Sequence, residues 1–367
     1  MAMASESEGT AGVDRPNVEG DFDERLLAGF EAARAAGNIL ASDPLLSEFR
    51  NLEGPLGIVV SWNPDHFSRK RAQGVVCGAC EDIAVLAVHE PTALAERFHF
   101  GKANPAEFLF ELGQTLMPTF EWQTECCDWD SPVLVNMSPL AVGHVVVPVA
   151  CRALLPQVLT ESLLLSGLEL CGMSQRPDFR AVFNSRAAFA SVNHFHFHGL
   201  YLDLCGFARS ATVSHLPIEV APRCQINVDI SEVRVDKVGP PEYPLPALVF
   251  SAPCDVKHCL AEAAWAAVRA CQELGVPHNL IFRRVPATVR FEIFLMPRQQ
   301  QRHHDVATAG FNAAVMELAG FVMTHTRCSF EALTEAEFRR LIAEGVALTT
   351  DQFEQMVHHR MNAAVKK

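Results

Sequence analysis

One stretch of the chain concentrates residues able to do chemistry: Ser191-Val192-Asn193-His194-Phe195-His196-Phe197-His198-Gly199-Leu200. On an extended strand successive side chains point to opposite faces. His194, His196 and His198 would then share one face, and Phe195 and Phe197 the other. Three imidazoles in register are poor core material, because each buried ring nitrogen needs its own partner. A lone histidine is more often a satisfied structural residue, whereas a row of three points to function.

Two chemistries use such a row. Imidazoles at i and i+2 can both reach one metal ion. Alternatively, a neutral imidazole can attack phosphorus, displace a leaving group and hold the phosphoryl or nucleotidyl group covalently. Strand-borne metal sites recruit a carboxylate close by. Here Asp203 is the only acid between His198 and Glu219, and there is none between Asn184 and Ser191. Asn184, Ser185, Ser191 and Asn193 surround the row instead, neutral donors suited to phosphate oxygens. The nucleophile is favoured, with a metal-dependent, cupin-like tri-histidine enzyme as the alternative.

The row needs strands around it. SPVLV (131–135) and GHVVVPV (143–149) read as buried strands flanking a turn at Met137–Ala141. FRAVFN (179–184) and NHFHFHGLYLD (193–203) read as a second pair, and PLGIVVSW (55–62) as strand-like. ALLPQVLTESLLLSGLEL (153–170) reads as a helix, and Phe22, Leu26, Phe30 and Ala33 recur at helical spacing up to Gly37. VGPPEYPLP (238–246) is the strongest linker signal. Beyond it come a strand (PALVFSA), a helix over about 255–274 and strands in HNLIFRR and ATVRFEIFLMP, then a helix near 309–320 and a helical tail. The helix–strand–strand order of 153–203 returns there, as in a degenerate duplication. The expected class is α+β, an antiparallel sheet with helices packed on one face. The expected division is an acidic disordered tail (1–20), a catalytic half (21–237) and a second half (238–367) with C-terminal helices.

Composition bounds the partners. Over 367 residues, 43 acidic side chains against 30 basic ones leave a formal charge of −13, which argues against a nucleic-acid polymer. With 49% hydrophobic and 20% charged residues the chain is globular rather than disordered. The first residues lack the basic and apolar regions of a signal peptide. The most apolar stretch, near 131–150, is interrupted by Asn136, Ser138, prolines and His144, so no membrane span is expected. Twelve cysteines in such a chain fit free thiols in a reducing compartment, and a cytoplasmic location. Cys77 and Cys80 have the spacing of half a zinc site, but no second C-x-x-C exists and a plain thiol pair is preferred.

With these residues in view, HFHFHGL matches the His-φ-His-φ-His-φ-φ motif of the histidine-triad superfamily. The wider string FNSRAAFASVNHFHFHGLYL, with NMSPLAVGHVVVPV before it, resembles the GDP-D-glucose phosphorylases of animals and the plant GDP-L-galactose phosphorylases. PLGIVVSWN, FHFGK (98–102), PHNLIF (277–282) and FNAAVMELAGF (311–321) extend the resemblance over roughly residues 22–345. His198 stands where the plant enzymes carry Gln, as in the animal type. Arg186-Ala187-Ala188 departs from the small, Gly-containing stretch of the family, and the Cys77–Cys80 region reads as an insertion.

The resemblance implies a two-half histidine-triad fold and guanylyl transfer from GDP-glucose to phosphate, without a cofactor. His196 would be the nucleophile, with His194 and His198 orienting it and donating to the transferring oxygens. Asn136, Gly143 and His144 would form the nucleotide-side strand pair, and Lys102 and Arg298 would be the cations near phosphate. The partners implied are GDP-hexose and inorganic phosphate, with neither a nucleic-acid polymer nor a membrane, and with room for a homodimer. His303-His304 and His358-His359 read as surface residues. His278, at the start of a strand, is open to a functional or a structural role.

Overall fold

The computed structural model describes residues 21–38, 42–67, 98–116, 130–206, 215–226, 232–300 and 308–364. The acidic tail, the basic turn at Arg69–Arg71, Cys77 and Cys80, and His303-His304 lie outside the described residues.

A single antiparallel sheet dominates. Its strands are β3 (Phe108–Glu111), β4 (Pro132–Val135), β5 (Val145–Pro148), β6 (Phe179–Asn184), β7 (His196–Tyr201), β8 (Cys224–Ile226), β9 (Arg234–Val238), β10 (Ala247–Pro253), β11 (His278–Val285) and β12 (Arg290–Pro297). They run in the spatial order β3-β4-β5-β7-β6-β11-β12-β10-β9-β8. A small second sheet joins β1 (Glu48–Asn51), β2 (Val59–Trp62) and β13 (Phe321–Thr324), with β13 parallel to β2.

One face of the large sheet carries the long helices α1 (Phe22–Ala35), α2 (Glu161–Met173), α3 (Lys257–Glu273) and α5 (Thr350–Ala364). Each helix shows a sequence cause. The Asp21 side chain caps α1 at the Glu24 N–H, and Leu26, Phe30 and Ala33 form its buried stripe. Thr160 caps α2 at the Leu163 N–H. Gly167 lets α2 lie against the sheet, since a Cβ there would come within 2.8 Å of the Phe282 ring. The other face is covered by the small sheet and by α4 (Glu335–Gly345), whose Phe338 and Ile342 join that core.

Alternation along β7 is what aims the site. Phe195 and Phe197, both 0% exposed, point to the helix face with ring centroids 5.1 Å apart, and Phe197 meets Phe282 at 5.5 Å. Each buried phenylalanine contributes roughly 1.5–3 kcal/mol. A one-residue slip would exchange both rings for imidazoles, so the register that points His196 and His198 to the opposite face is strongly specified.

Two expectations are corrected. The helix read over 153–170 begins only at Glu161, because Pro156 disfavours helix in the residue before it and Thr160 caps the start. The stretch near 309–320 is mostly irregular: a helical turn ends at Ala309, Gly310 has φ +71°, Phe311 bridges to Thr324, and helix returns only in the turn Val315–Leu318. The Pro-rich segment 238–246 links β9 to β10, which pair with each other. The division expected at 237/238 falls inside β9, whose last residue Val238 pairs with Ala247, and the sheet runs through both halves at the β6–β11 pair.

Candidate active site

A cavity of about 590 Å³ opens on the sheet face opposite the long helices. His196 and His198 form part of its floor, together with Val146, Val182 and Asn184 from the neighbouring strands. Phe98, Phe100 and the segments 189–192 and 312–317 supply walls. Most of the lining is apolar with a few convergent polar groups, the usual character of a small-molecule site. Among the described residues no Lys or Arg lines it.

His196 is held at three points. Its ring Nδ1 lies 2.7 Å from the His194 carbonyl oxygen, which can only accept, so the proton sits on Nδ1 and the lone pair on Nε2. Its backbone N–H donates to Gln157 Oε1 at 2.9 Å, and Gln157 Nε2 donates to the His196 carbonyl at 3.1 Å. Phe100 packs against the ring at a centroid distance of 4.9 Å.

The tautomer of His198 follows from a relay. The Leu140 N–H donates to His144 Nδ1 at 2.9 Å, which leaves the His144 proton on Nε2. That proton faces His198 Nδ1 at 3.1 Å. Asn136 Oδ1 accepts the Ser138 N–H, so Asn136 turns its amide nitrogen to His198 Nδ1 at 3.3 Å. Both neighbours donate, so His198 Nδ1 accepts and Nε2 carries the hydrogen. One neutral nucleophilic nitrogen and one N–H donor therefore belong to adjacent rings, 5.1 Å apart between centroids.

His194 departs from expectation. β7 starts at His196, and residues 191–194 form a bend, so His194 leaves the strand alternation. Its Nδ1 accepts the Phe100 N–H at 3.0 Å, and its ring lies beside His99 and Phe100, off the cavity lining. What it gives the site is its carbonyl oxygen. The tri-histidine metal alternative loses its ligand set with this ring. Among the described residues no three His, Cys, Asp or Glu side chains are grouped to hold an ion.

Burial sets the protonation states. It is the largest cause in each case, and it lowers His194 and His144 to about 3 and His196 to about 4. His198 is lowered well below its usual value, first by burial and then by His196 and His144. At neutral pH the four rings are uncharged.

The remaining expected residues divide. Asn184 lines the cavity. Its Oδ1 accepts from Asn279 Nδ2 at 2.7 Å and from the Val315 N–H at 3.0 Å, so its amide nitrogen is left to donate. Ser191 lines the cavity and is exposed. Asn193 lies behind the cavity, its Oδ1 accepting the Gln157 N–H at 3.1 Å. Ser185 is not in the lining; its hydroxyl donates to Arg186 O and accepts the His278 N–H, tying β6 to β11. Gly143 serves the turn: φ is +76°, and a Cβ would come within 3.0 Å of Leu27 and Tyr201.

Neither expected cation reaches the cavity lining. Lys102 is exposed and outside it. Arg298 is 0% exposed and lies behind the wall, donating to Gln299 O and Ala313 O with its guanidinium 5.5 Å from the Phe189 ring centroid. Burial draws it down to about 9 against the opposing pull of Glu317. His278 is structural, donating from Nδ1 to Val276 O and stacking on Phe183. His358 and His359 are exposed, as expected. Sequence reasoning missed Gln157, whose type and spacing carried no signal once it was read into the 153–170 helix.

Comparison with known proteins bears on what this cavity serves. The family described as GDPGP1-like matches with its N-terminal domain at residues 21–200 and its C-terminal domain at 217–367. GDP-D-glucose phosphorylase 1 of Bos taurus is 33% identical over 261 residues, 68% of this chain and 62% of that protein. GDP-D-glucose phosphorylase 1 of Danio rerio is 30% identical over 72% of each chain. GDP-L-galactose phosphorylase 2 of Arabidopsis thaliana is 26% identical over 91% of this chain and 75% of its own. Among solved structures, yeast Ap4A phosphorylase in complex with AMP shares the fold with a TM-score of 0.53 and 15% identity, covering 89% of this chain and 98% of that one.

Proposed function

This chain belongs to the GDPGP1-like family, and from that membership and the cavity geometry we propose that it is a GDP-hexose phosphorylase acting on GDP-D-glucose. The carrying observation is the nucleophile's setting: a neutral His196 with its Nδ1 proton on the His194 carbonyl, on the cavity floor.

In the first step Nε2 attacks the α-phosphorus of the GDP-hexose. The bond from that phosphorus to the bridging oxygen breaks, and hexose 1-phosphate leaves with the bond's electron pair. A guanylyl group remains on Nε2, and the ring becomes cationic. The His194 carbonyl, accepting the Nδ1 proton, stabilises that developing charge. In the second step an oxygen of inorganic phosphate attacks the same phosphorus, the N–P bond breaks, and GDP departs. The His198 Nε2–H and the Asn184 amide donate to the transferring oxygens, which carry charge throughout. These neutral donors replace the cations expected at Lys102 and Arg298.

His198 at the third position, and identities of 30% and 33% to the animal relatives, favour glucose over L-galactose as the hexose. The test is GDP release from GDP-glucose, GDP-mannose and GDP-L-galactose, with and without phosphate. GDP formed only with phosphate, and fastest from GDP-glucose, is the expected result. GMP formed independently of phosphate would mark a hydrolase and refute the proposal. Guanine-labelled GDP-glucose without phosphate should label the wild-type protein through an acid-labile bond, and His196→Asn should not be labelled.

A further inference from the structure

The β6–β7 ladder runs from Phe179 opposite Tyr201 to Val182 opposite His198. Two pairs further, past Phe183 and Phe197, Asn184 and His196 would face each other, and the ladder stops short of them. A side chain takes its place. Gln157 Nε2 donates to the Asn184 carbonyl at 3.0 Å and to the His196 carbonyl at 3.1 Å, while Oε1 accepts the His196 N–H at 2.9 Å. Gln157 is 1% exposed, and its own N–H is anchored on Asn193 Oδ1. On the opposite edge His196 faces Pro148, which has no N–H to offer.

A carboxamide carries the donor and acceptor set of a peptide unit, so this side chain substitutes for a stretch of strand. Without it, the two carbonyl oxygens would converge on one buried space with no donor, and the His196 N–H would be orphaned. We infer that Gln157 is a positioning residue, a wedge between β6 and β7 that fixes the backbone of the nucleophile. It touches neither cavity nor substrate, and its effect passes through His196. The inference rests on His196 being the nucleophile.

Two variants test it. Gln157→Met keeps the length and removes every hydrogen bond. A displacement of about 1 Å at a reacting atom can cost roughly 100-fold in rate. Gln157→Met should therefore lower kcat about 10- to 100-fold, with KM within about threefold of wild type. Gln157→Glu offers a donor to the carbonyls only when protonated. Two carbonyl oxygens and burial favour the protonated acid, so its activity relative to wild type should fall as pH rises from 6 to 8.5. A side chain that merely fills space would give no such pH dependence. If Gln157→Met does not fold, the Gln157→Glu profile alone decides. A wild-type kcat in folded Gln157→Met, a raised KM with kcat intact, or a Gln157→Glu ratio flat with pH would overturn the wedge. Covalent labelling of wild type separates the two ideas: if wild type labels and the variants label as fast, only the wedge is wrong. If wild type does not label, the nucleophile assignment is wrong.

Discussion

Acid should unfold this protein well before it protonates His196, the proposed nucleophile. His144 and His194 are lowered to about 3, and His196 and His278 to about 4, each mainly by burial. In the unfolded chain a histidine titrates near 6.5. As pH falls through that value the unfolded state takes up protons that the folded state refuses. Their contribution is therefore complete above about 6.5 and lost as pH drops toward the folded values. At about 1.4 kcal/mol per unit, each group costs roughly 1.4 kcal/mol at pH 5.5 and roughly 2 at pH 5. Four such groups remove roughly 5–8 kcal/mol, comparable to the whole stability of an ordinary domain.

The assay is urea unfolding followed by circular dichroism at pH 8, 7, 6 and 5.5. The midpoint should fall steeply below pH 6.5 with little change in slope. His278→Gln, outside the cavity, should remove about one histidine's share of the loss, roughly 1.4 kcal/mol at pH 5.5, with turnover retained. Stability constant from pH 8 to pH 5.5 would refute the neutral, buried state of these rings. A brief jump to pH 5.5 should leave initial rates near their neutral value, because His196 is still unprotonated before the fold is lost.

Two further outcomes follow from the tautomer relay. His198→Gln should keep activity within about tenfold, because Gln can accept from His144 Nε2–H and still donate its amide into the cavity; loss of all activity in a folded protein would give His198 a proton-transfer role. His144→Phe combined with Asn136→Ala removes both donors that hold the His198 proton on Nε2, so kcat should fall about 100-fold, in the range seen for loss of one oxyanion donor. Long-range proton–nitrogen spectra of the double variant should then show the Nδ1–H tautomer, and an unchanged His198 signature would contradict the relay.

What could be read from the residues, and what could not, has a physical dividing line. Strand alternation sufficed for His196 and His198, because the buried Phe195 and Phe197 alternate with them and hold the register. It failed for His194, because the chain bends at 191–194 and the Phe195 N–H leaves the ladder for Leu155 O. Ser185 and Gly143 are the right residue types near the site but are consumed by the backbone, one tying strands and the other permitting a turn. Lys102 and Arg298 were assigned from the need to neutralise phosphate, and no pattern in sequence tells a guanidinium behind a wall from one inside it. Gln157 was absorbed into a helix that starts four residues later.

The sheet carries two copies of one arrangement, and only one copy holds the histidines. Around the Val182–Ile281 pair the halves correspond strand for strand: β6 to β11, β7 to β12, β5 to β10. Val182 pairs with His198, and Ile281 with Phe294, so Phe294 takes the place of His198 and Glu292 that of His196. Where the second half would carry a nucleophile, Glu292 instead pairs with Arg223 at 2.8 Å and Arg283 at 2.6 Å. Arg283 also reaches Glu219, which is paired with Arg180 at 2.6 Å and is 0% exposed. Burial alone would raise the Glu219 carboxyl, but Arg180 and Arg283 outweigh it and hold it well below the usual range. A buried network of this kind is costly to break and leaves no neutral imidazole facing solvent-free space. At these positions the second half thus carries a tie between the 215–223 connector and the sheet, while the first keeps its imidazoles uncharged beside an open cavity.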